Sequence, residues 1–159
     1  MGGMDITTRL DFAAAPTEVY AMLTDAQYLD EVCRATDSSS YDVDVAGSTT
    51  RTTRSFPSPD AVARFTGATL TVSEQTVWGD AAADGRRTAE LDMTVQGQPV
   101  SMRGTLELAP GGAGTTVELT GQLKVAIPLL GKKMEQSSAP AVLAGFKKQQ
   151  EVGSRWLVR

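Results

Sequence analysis

The chain of 159 residues is the size of one ordinary domain, and its 41% hydrophobic and 21% charged residues are typical of globular proteins. A net charge of −4, spread without long runs, disfavours binding to nucleic acid or to anionic membrane surfaces. The sequence has no histidine and one cysteine, Cys33, which excludes an intrachain disulfide and a multi-thiolate metal site. Because the commonest metal ligand and general base are also missing, we expect no metal or organic cofactor.

The apolar runs and the first residues give no sign of a membrane anchor. The longest apolar runs are far shorter than the roughly 20 residues that a spanning helix needs, and the start of the chain lacks the features of a signal peptide. We therefore expect a cytoplasmic protein in which residues 4–159 form one domain. Residues 1–3 are interpreted as an alternative start or a cloning remnant, because Met4 could itself begin the chain.

The first part of the chain predicts one strand followed by two short helices. Residues 5–12 alternate apolar and polar side chains, which is typical of a half-buried strand. Pro16 and Glu18 favour the first turn of a helix, and either Asp25 or Thr24 can cap a second helix.

From residue 40 onward the apolar period changes to two, which predicts about six further strands joined by short turns. Because no helices separate these strands, an antiparallel meander is favoured. The segment 56–67 contains two prolines, and its pattern does not predict one type of secondary structure. We interpret it as a loop or lid with room for one helical turn over residues 61–65.

The closing stretch, residues 134–159, has the spacing of an amphipathic helix, and it is the only long helix that the sequence predicts. Its inward face mixes bulky apolar residues with small ones, which are Ser138, Ala141, Gly145 and Gly153. Two explanations are open. The small residues either keep space between the helix and a sheet, or they allow the helix to approach the sheet closely.

Two stretches resemble a known superfamily. LDFAAAPTEVYAMLTDAQYLDEVC resembles the opening of START-like proteins of the SRPBCC, or Bet v 1-like, superfamily, and GKKMEQSSAPAVLAGFKKQQEVGSRWL resembles the C-terminal helix of a small uncharacterised bacterial family within it. The resemblance spans residues 5–157. It implies a helix-grip fold of the α+β class, in which a curved antiparallel sheet of about seven strands wraps around the long helix. A cavity between them often holds lipids, sterols, polyketides or other apolar molecules.

Such a pocket needs apolar walls. Residues on the inward faces of the predicted helix and strands are the candidates for these walls. The candidates on the helix are Met134, Ser138, Val142, Phe146 and Gln149. The candidates on the strands are Leu70, Val72, Trp78, Leu91, Met93, Met102, Leu106, Val117 and Leu119, with Phe65 as a lid residue. Each of them is open to a second interpretation as an ordinary core residue, because periodic apolar residues usually serve packing.

Two charged residues share the phase of inward apolar residues. Glu74 is in phase with Trp78, and Arg54 is in phase with Phe56. A buried polar group without a partner costs about 1–3 kcal/mol, so such positions are informative. Either residue could anchor the head group of a ligand, but the two could also pair with each other or lie at the rim of the sheet. Tyr41 could add a hydroxyl group or simply pack beside its neighbours.

Other reactive groups are weaker candidates. Cys33 has no histidine to activate it, so we expect a buried structural thiol. The carboxylate pairs Asp42 with Asp44 and Glu90 with Asp92 lie on the polar faces of their strands, where we expect them to be solvated. The glycines of PGGAG are expected to form a hairpin turn, because the features of a phosphate-binding loop are missing.

The sequence therefore predicts binding or transport of a hydrophobic or amphipathic small molecule, lipid-like or polyketide-like, by a monomer or weak homodimer without stable membrane insertion. The first alternative is an enzyme of the polyketide cyclase type, with Glu74, Arg54 or Tyr41 assisting proton transfer. The second is a protein-interaction module that uses the same groove. Polar groups at the end of the pocket would favour a head-group anchor, whereas a central acid with a neighbouring donor would favour catalysis.

Overall fold

The computed structural model describes residues 3–60 and 62–159. In chain order these residues form β1 (Met4–Phe12), α1 (Pro16–Leu23), α2 (Ala26–Ala35), β2 (Ser40–Ala46), β3 (Thr49–Pro57), α3 (Ala63–Thr66), β4 (Thr69–Trp78), β5 (Arg87–Val95), β6 (Val100–Gly111), β7 (Gly114–Val125) and α4 (Gly131–Trp156). Within the described ranges, no helix is both long enough and apolar enough to cross a membrane.

The strands form one antiparallel sheet in the order β1-β7-β6-β5-β4-β3-β2. Strands β2 to β7 follow one another as a meander, and β1 completes the sheet by pairing with β7. The long helix α4 packs against the β1–β7 part of this sheet. The protein therefore has the predicted helix-grip fold of the α+β class, including the two short helices after the first strand.

Alternation of side chains gives the sheet an inner and an outer face. On β5, Ala89, Leu91, Met93 and Val95 are buried while the residues between them are mostly exposed. The hairpin between β2 and β3 turns at Gly47, whose φ of +62° lies in the left-handed region that favours glycine. The period-two pattern of the sequence thus predicted both the strands and the face of each that is buried.

The short helices begin where the sequence places them. Pro16 is the first residue of α1, where its missing N–H has no helical partner to lose. Asp25 caps α2, because its Oδ1 accepts the backbone N–H of Gln27 at 2.8 Å. Both helices turn buried residues toward the sheet, among them Met22 and Tyr28.

The segment 56–67 lies at the end of the sheet near the start of α4. Strand β3 continues to Pro57, and the single turn α3 begins at residue 63, whereas residue 61, where the predicted turn began, lies outside the described residues. Val62 is buried against Val125 and Met134, and Phe65 packs on the same small cluster. The segment is thus held by apolar contacts at this end.

Three hydrogen bonds hold α4 near its two ends. Glu135 Oε2 accepts the N–H of Val125 at 2.9 Å, the carbonyl oxygen of Gln149 accepts the hydroxyl of Tyr28 at 2.8 Å, and Gln150 Oε1 accepts the N–H of Asp11 at 2.7 Å. The helix therefore packs mainly on β1, β7 and α2, and its main contacts do not include β3 or β4.

The small residues of α4 have different surroundings. A Cβ atom on Gly153 would lie 2.6 Å from Phe12 Cε1 and 2.9 Å from Met22 Cε, so the helix approaches β1 and α1 closely there. A Cβ atom on Gly145 would meet no atom within 4 Å. Ser138 is half-buried, and Ala141 is exposed rather than inward. The explanation of close approach therefore holds at Gly153, whereas Gly145 has open space beside it.

This difference predicts opposite effects for the same substitution at two glycines. Gly145→Ala should leave the free energy of unfolding unchanged or raise it by up to about 1 kcal/mol, because alanine is the better helix former and meets no neighbour. Gly153→Ala should lower it by about 1–3 kcal/mol, because the new methyl group collides with Phe12 and Met22. Urea unfolding of the two variants measures the difference, and equal effects at both positions would contradict it.

Candidate functional site

A cavity of about 60 Å³ lies between the inner face of the sheet and helices α1, α2 and α4. The residues that line it are Leu10, Leu23, Tyr28, Leu29, Val32, Cys33, Thr50, Thr52, Arg54, Glu74, Thr76, Trp78, Leu106, Val117, Phe146 and Gln149. Pockets for drug-sized ligands have volumes of roughly 300–1,000 Å³, so this cavity is narrow and has room for a few water molecules.

One end of the cavity is apolar. Leu10 on β1 is paired in register with Val117 on β7. Trp78 and Leu106 flank the small side chain of Ala89, which separates them in the register of β4, β5 and β6. Phe146 of α4 completes this part of the wall. An apolar group that entered the cavity would meet hydrocarbon and aromatic surface here.

The other end of the cavity is polar, and β3 and β4 supply it. Thr50, Thr52 and Arg54 alternate along β3, and Thr50 and Thr52 are paired in register with Thr76 and Glu74 of β4. Along β4 the wall changes from Trp78 through Thr76 to Glu74. The charged groups therefore lie together at one end of the cavity and not at its middle.

Glu74 is a half-buried residue of the cavity wall. Among the described residues it forms no ion pair, although Arg54 lies on the neighbouring strand. Burial raises the pKa of Glu74 above its ordinary value, and the positive charge of Arg54 acts in the opposite direction. Its carboxyl group is therefore available to a polar group that enters the cavity.

Arg54 is held in place by neighbours other than Glu74. Its Nη1 donates to Thr36 Oγ1 at 2.9 Å, and its guanidinium lies 5.7 Å from the centre of the Phe56 ring. The guanidinium has five N–H donors, so the bond to Thr36 leaves others for a ligand. The polar end of the cavity thus combines a positioned donor with an acceptor.

Tyr28 and Cys33 of α2 also line the cavity, but both side chains have a structural role and not a reactive one. Burial raises the pKa of Tyr28, and its hydroxyl donates to the carbonyl oxygen of Gln149. Burial raises the pKa of the Cys33 thiol to about 11, with Arg54 acting in the opposite direction, so the thiol is protonated at neutral pH. Neither group is prepared to act as a nucleophile.

Seven of the residues proposed from the sequence as pocket residues meet at this cavity. They are Arg54, Glu74, Trp78, Leu106, Val117, Phe146 and Gln149. They come from β3, β4, β6, β7 and α4, so the fold brings together side chains that are distant in the sequence.

The other proposed pocket residues do not line the cavity. Five are buried in the main core, and two pack against it: Val72, Leu91, Met93, Met102 and Leu119, with Leu70 and Val142. Phe65 and Met134 belong to the separate cluster near α3. Ser138 is half-buried on α4. Tyr41 is paired in register with Arg54 but lies outside the wall, and a hydrogen bond to Asp30 raises its pKa.

Sequence reasoning missed the polar threonines and the contribution of α2. Thr50 and Thr52 share the phase of Arg54, and Thr76 shares the phase of Glu74, so strand alternation alone could have identified them. The α2 residues that line the cavity are Tyr28, Leu29, Val32 and Cys33, and their spacing forms one stripe of a helix.

The described residues contain no group of three or more histidine, cysteine, aspartate or glutamate side chains that could hold a metal ion. Asp42, Asp44, Glu90 and Asp92 are all exposed. Asp92 pairs with Arg103 on the outer face, with 3.1 Å between Oδ1 and Nε. These carboxylates therefore point away from the cavity.

Comparisons with known proteins show the family and the fold. The family described as "Protein of unknown function (DUF2505)" matches residues 7–157, and the chain belongs to this family. A search of curated proteins gives no match.

Solved structures share the architecture at low sequence identity. TTHA0849 from Thermus thermophilus is 21% identical, with a TM-score of 0.63 over 94% of this chain and 97% of that one. The KanY protein (ms6282) is 18% identical, with a TM-score of 0.64 over 100% of both chains. Ara h 8.0201 is 12% identical, with a TM-score of 0.58 over 94% of this chain and 97% of that one. At these identities the similarity shows the fold alone.

The raised pKa of Glu74 predicts how stability depends on pH. The ordinary pKa of a glutamate is near 4.5, and the pKa of Glu74 in the folded protein is higher. At a pH between these two values, Glu74 has lost its proton in the unfolded chain but keeps it in the folded protein. The free energy of unfolding therefore falls as the pH rises through this range. Glu74→Gln removes the titrating group, so the variant should be at least as stable as the wild type at pH 7. The difference in stability between the two proteins should disappear as the pH falls toward 4.5. Thermal unfolding over this range measures it.

Glu90→Gln is the matched control, because Glu90 is exposed on the outer face of β5. A marked loss of stability in Glu74→Gln at pH 7 would mean that the carboxylate is held by a structural ion pair.

Proposed function

We propose that this member of the DUF2505 family binds an amphipathic small molecule in the cavity between the sheet and α4. The polar group of the ligand lies against Arg54 and Glu74, and its apolar body lies toward Leu10 and Val117. The observation that carries the proposal is the presence of a guanidinium and an unpaired carboxylate together at one end of a cavity whose other end is apolar. A core built only for packing would replace both with hydrocarbon.

The composition of the polar end favours a neutral head group over an ion. A carboxylate or ammonium head group would be attracted to one of the two charged residues and repelled by the other. A hydroxyl or enol group can donate to Glu74 and accept from Arg54, and the nearby threonines add further hydroxyl partners. We therefore favour a lipid-like or polyketide-like molecule whose polar end carries hydroxyl groups.

Binding requires the cavity to widen, because about 60 Å³ is too small for such a molecule. Phe146 of the cavity wall follows Gly145, where a Cβ atom would meet nothing within 4 Å, so the helix is not closely packed at this point. The helix is tightly packed near Gly153 and makes its main contacts with β1, β7 and α2. We expect Phe146 to move away from the sheet while the end of α4, which Tyr28 holds at the carbonyl of Gln149, stays in place.

The fold supports placing the protein in the START-like or SRPBCC superfamily, whose members often hold apolar ligands at this position. We extend that assignment, and the cytoplasmic location expected from the sequence, as part of the proposal. A monomer or weak homodimer is sufficient for it, because the described residues of one chain line the whole cavity.

A polyketide cyclase-type enzyme is the second candidate, and one observation favours it. Burial raises the pKa of Glu74, as a carboxyl group that transfers protons near neutral pH requires. Against it, Glu74 lies at the end of the cavity, where it is better placed to anchor a head group. The two functions share the pocket and differ in what Glu74 does there.

Head-group selectivity tests the proposed binding directly. The chain has two tryptophans, so Trp156→Phe leaves Trp78 in the cavity wall as the only one, and its emission reports on binding. Decanol, decanoate and decylamine share one alkyl chain and differ in head group. Decanol should bind most tightly, and Arg54→Met or Glu74→Gln should weaken its binding on the order of tenfold, because each loses a hydrogen bond to a charged group.

Arg51→Met is the matched control for Arg54→Met, because Arg51 is exposed on the same strand and donates to Gln75 outside the cavity. The binding proposal fails if none of the three compounds changes the emission of Trp78, or if Arg51→Met weakens binding as much as Arg54→Met.

The enzyme candidate predicts a separate outcome. With a poly-β-ketone thioester mimic as the substrate, Glu74→Gln should abolish cyclisation while binding of the mimic changes by less than about tenfold. Product analysis by chromatography measures the turnover. The absence of cyclised product above the uncatalysed background in the wild type would exclude this candidate and leave the binding function intact.

A further inference from the structure

The end of β7, the connection to α4 and the first turn of α4 together have a charge opposite to that of the whole chain. Residues 124–133, KVAIPLLGKK, are called here the basic apolar loop, and they contain Lys124, Lys132 and Lys133. All five lysines of the chain lie within residues 124–148, and no acidic residue occurs between Glu118 and Glu135. The loop therefore has a local charge of +3 in a chain whose net charge is −4.

The same loop exposes more apolar surface than a connection requires. Leu129 has a relative accessible surface of 103%, and Leu130 and Pro128 are also exposed. A groove of about 710 Å³ runs beside the loop, with Met4 and Ile127 among its walls. Exposed apolar surface of this kind, rimmed by charged residues, is typical of interaction sites.

The backbone holds Leu129 away from the body of the protein. Its φ of +68° lies in the left-handed region, which a bulky side chain rarely adopts. The three lysines of the loop are also exposed. Glu135, the nearest acidic residue along the chain, lines the same groove, but it is buried and its Oε2 accepts the N–H of Val125.

We propose that the basic apolar loop docks on the surface of an anionic lipid bilayer. Leu129 and Leu130 enter the boundary between head groups and acyl chains, and the lysines contact the anionic head groups. The negative charge elsewhere on the chain is repelled by the same surface, so the molecule is oriented with the loop toward the membrane. The contact is peripheral and reversible.

This surface does not depend on the proposed ligand cavity. Leu130 and Phe146 are 16 positions apart, which corresponds to about 24 Å along α4. Substitutions in the loop are therefore expected to leave decanol binding in the cavity unchanged. Failure of docking and failure of ligand binding can be told apart.

Co-sedimentation with phosphatidylcholine vesicles, with and without phosphatidylglycerol, tests the proposal. The full chain should bind the anionic vesicles, and high salt should release it. Lys132→Gln with Lys133→Gln should weaken binding roughly 30-fold, and Leu129→Ser on the order of tenfold. Lys147→Gln with Lys148→Gln makes the same charge change on α4, and Val158→Ser removes another exposed apolar side chain, so both serve as controls.

Three outcomes would overturn the proposal. The first is no binding to anionic vesicles, and the second is an equal loss of binding in the control variants. The third is a dimer that depends on Leu129 in sedimentation velocity without any vesicle binding, which would make the loop an interface between two copies. Circular dichroism spectra that match the wild type verify that each variant is folded.

Discussion

The close contact of Gly153 with Phe12 and Met22 determines where α4 can lie. Because glycine has no side chain, the last turns of the helix pack directly on β1 and α1. The hydrogen bond from the hydroxyl of Tyr28 to the carbonyl of Gln149 also joins α2 to this part of the helix. Once the helix is fixed there, it lies over one half of the inner face. The other half, on β3 and β4, is then left to form the wall of a cavity.

The two halves of the inner face differ in chemistry. The half under α4 is filled by apolar residues, whereas β3 presents threonines and Arg54, and β4 presents Thr76 and Glu74 beside Trp78. Placing a carboxylate there costs stability, and the raised pKa of Glu74 reflects that cost. A sequence that keeps such a group on the wall of a cavity gives up stability, and binding a polar group is the use that we propose for it.

Strand alternation was sufficient to predict the strands, the inward phase of Glu74 and the meander, because each depends on local sequence. The position of the cavity depends on tertiary packing, which local patterns do not contain. Leu91 and Met102 have the same inward phase as Leu106, yet they lie in the main core while Leu106 lines the cavity. The small residues of α4 were ambiguous for the same reason, since only the neighbours of Gly145 and Gly153 distinguish space from close contact.

We propose that the cavity binds the polar end of an amphipathic molecule at Arg54 and Glu74. A crystal structure of the protein soaked with decanol tests it most directly. The hydroxyl should lie within hydrogen-bond distance of one of these two side chains, with the alkyl chain toward Leu10 and Val117. A decanol molecule in the reverse orientation, or one bound only in the groove beside the basic apolar loop, would contradict it.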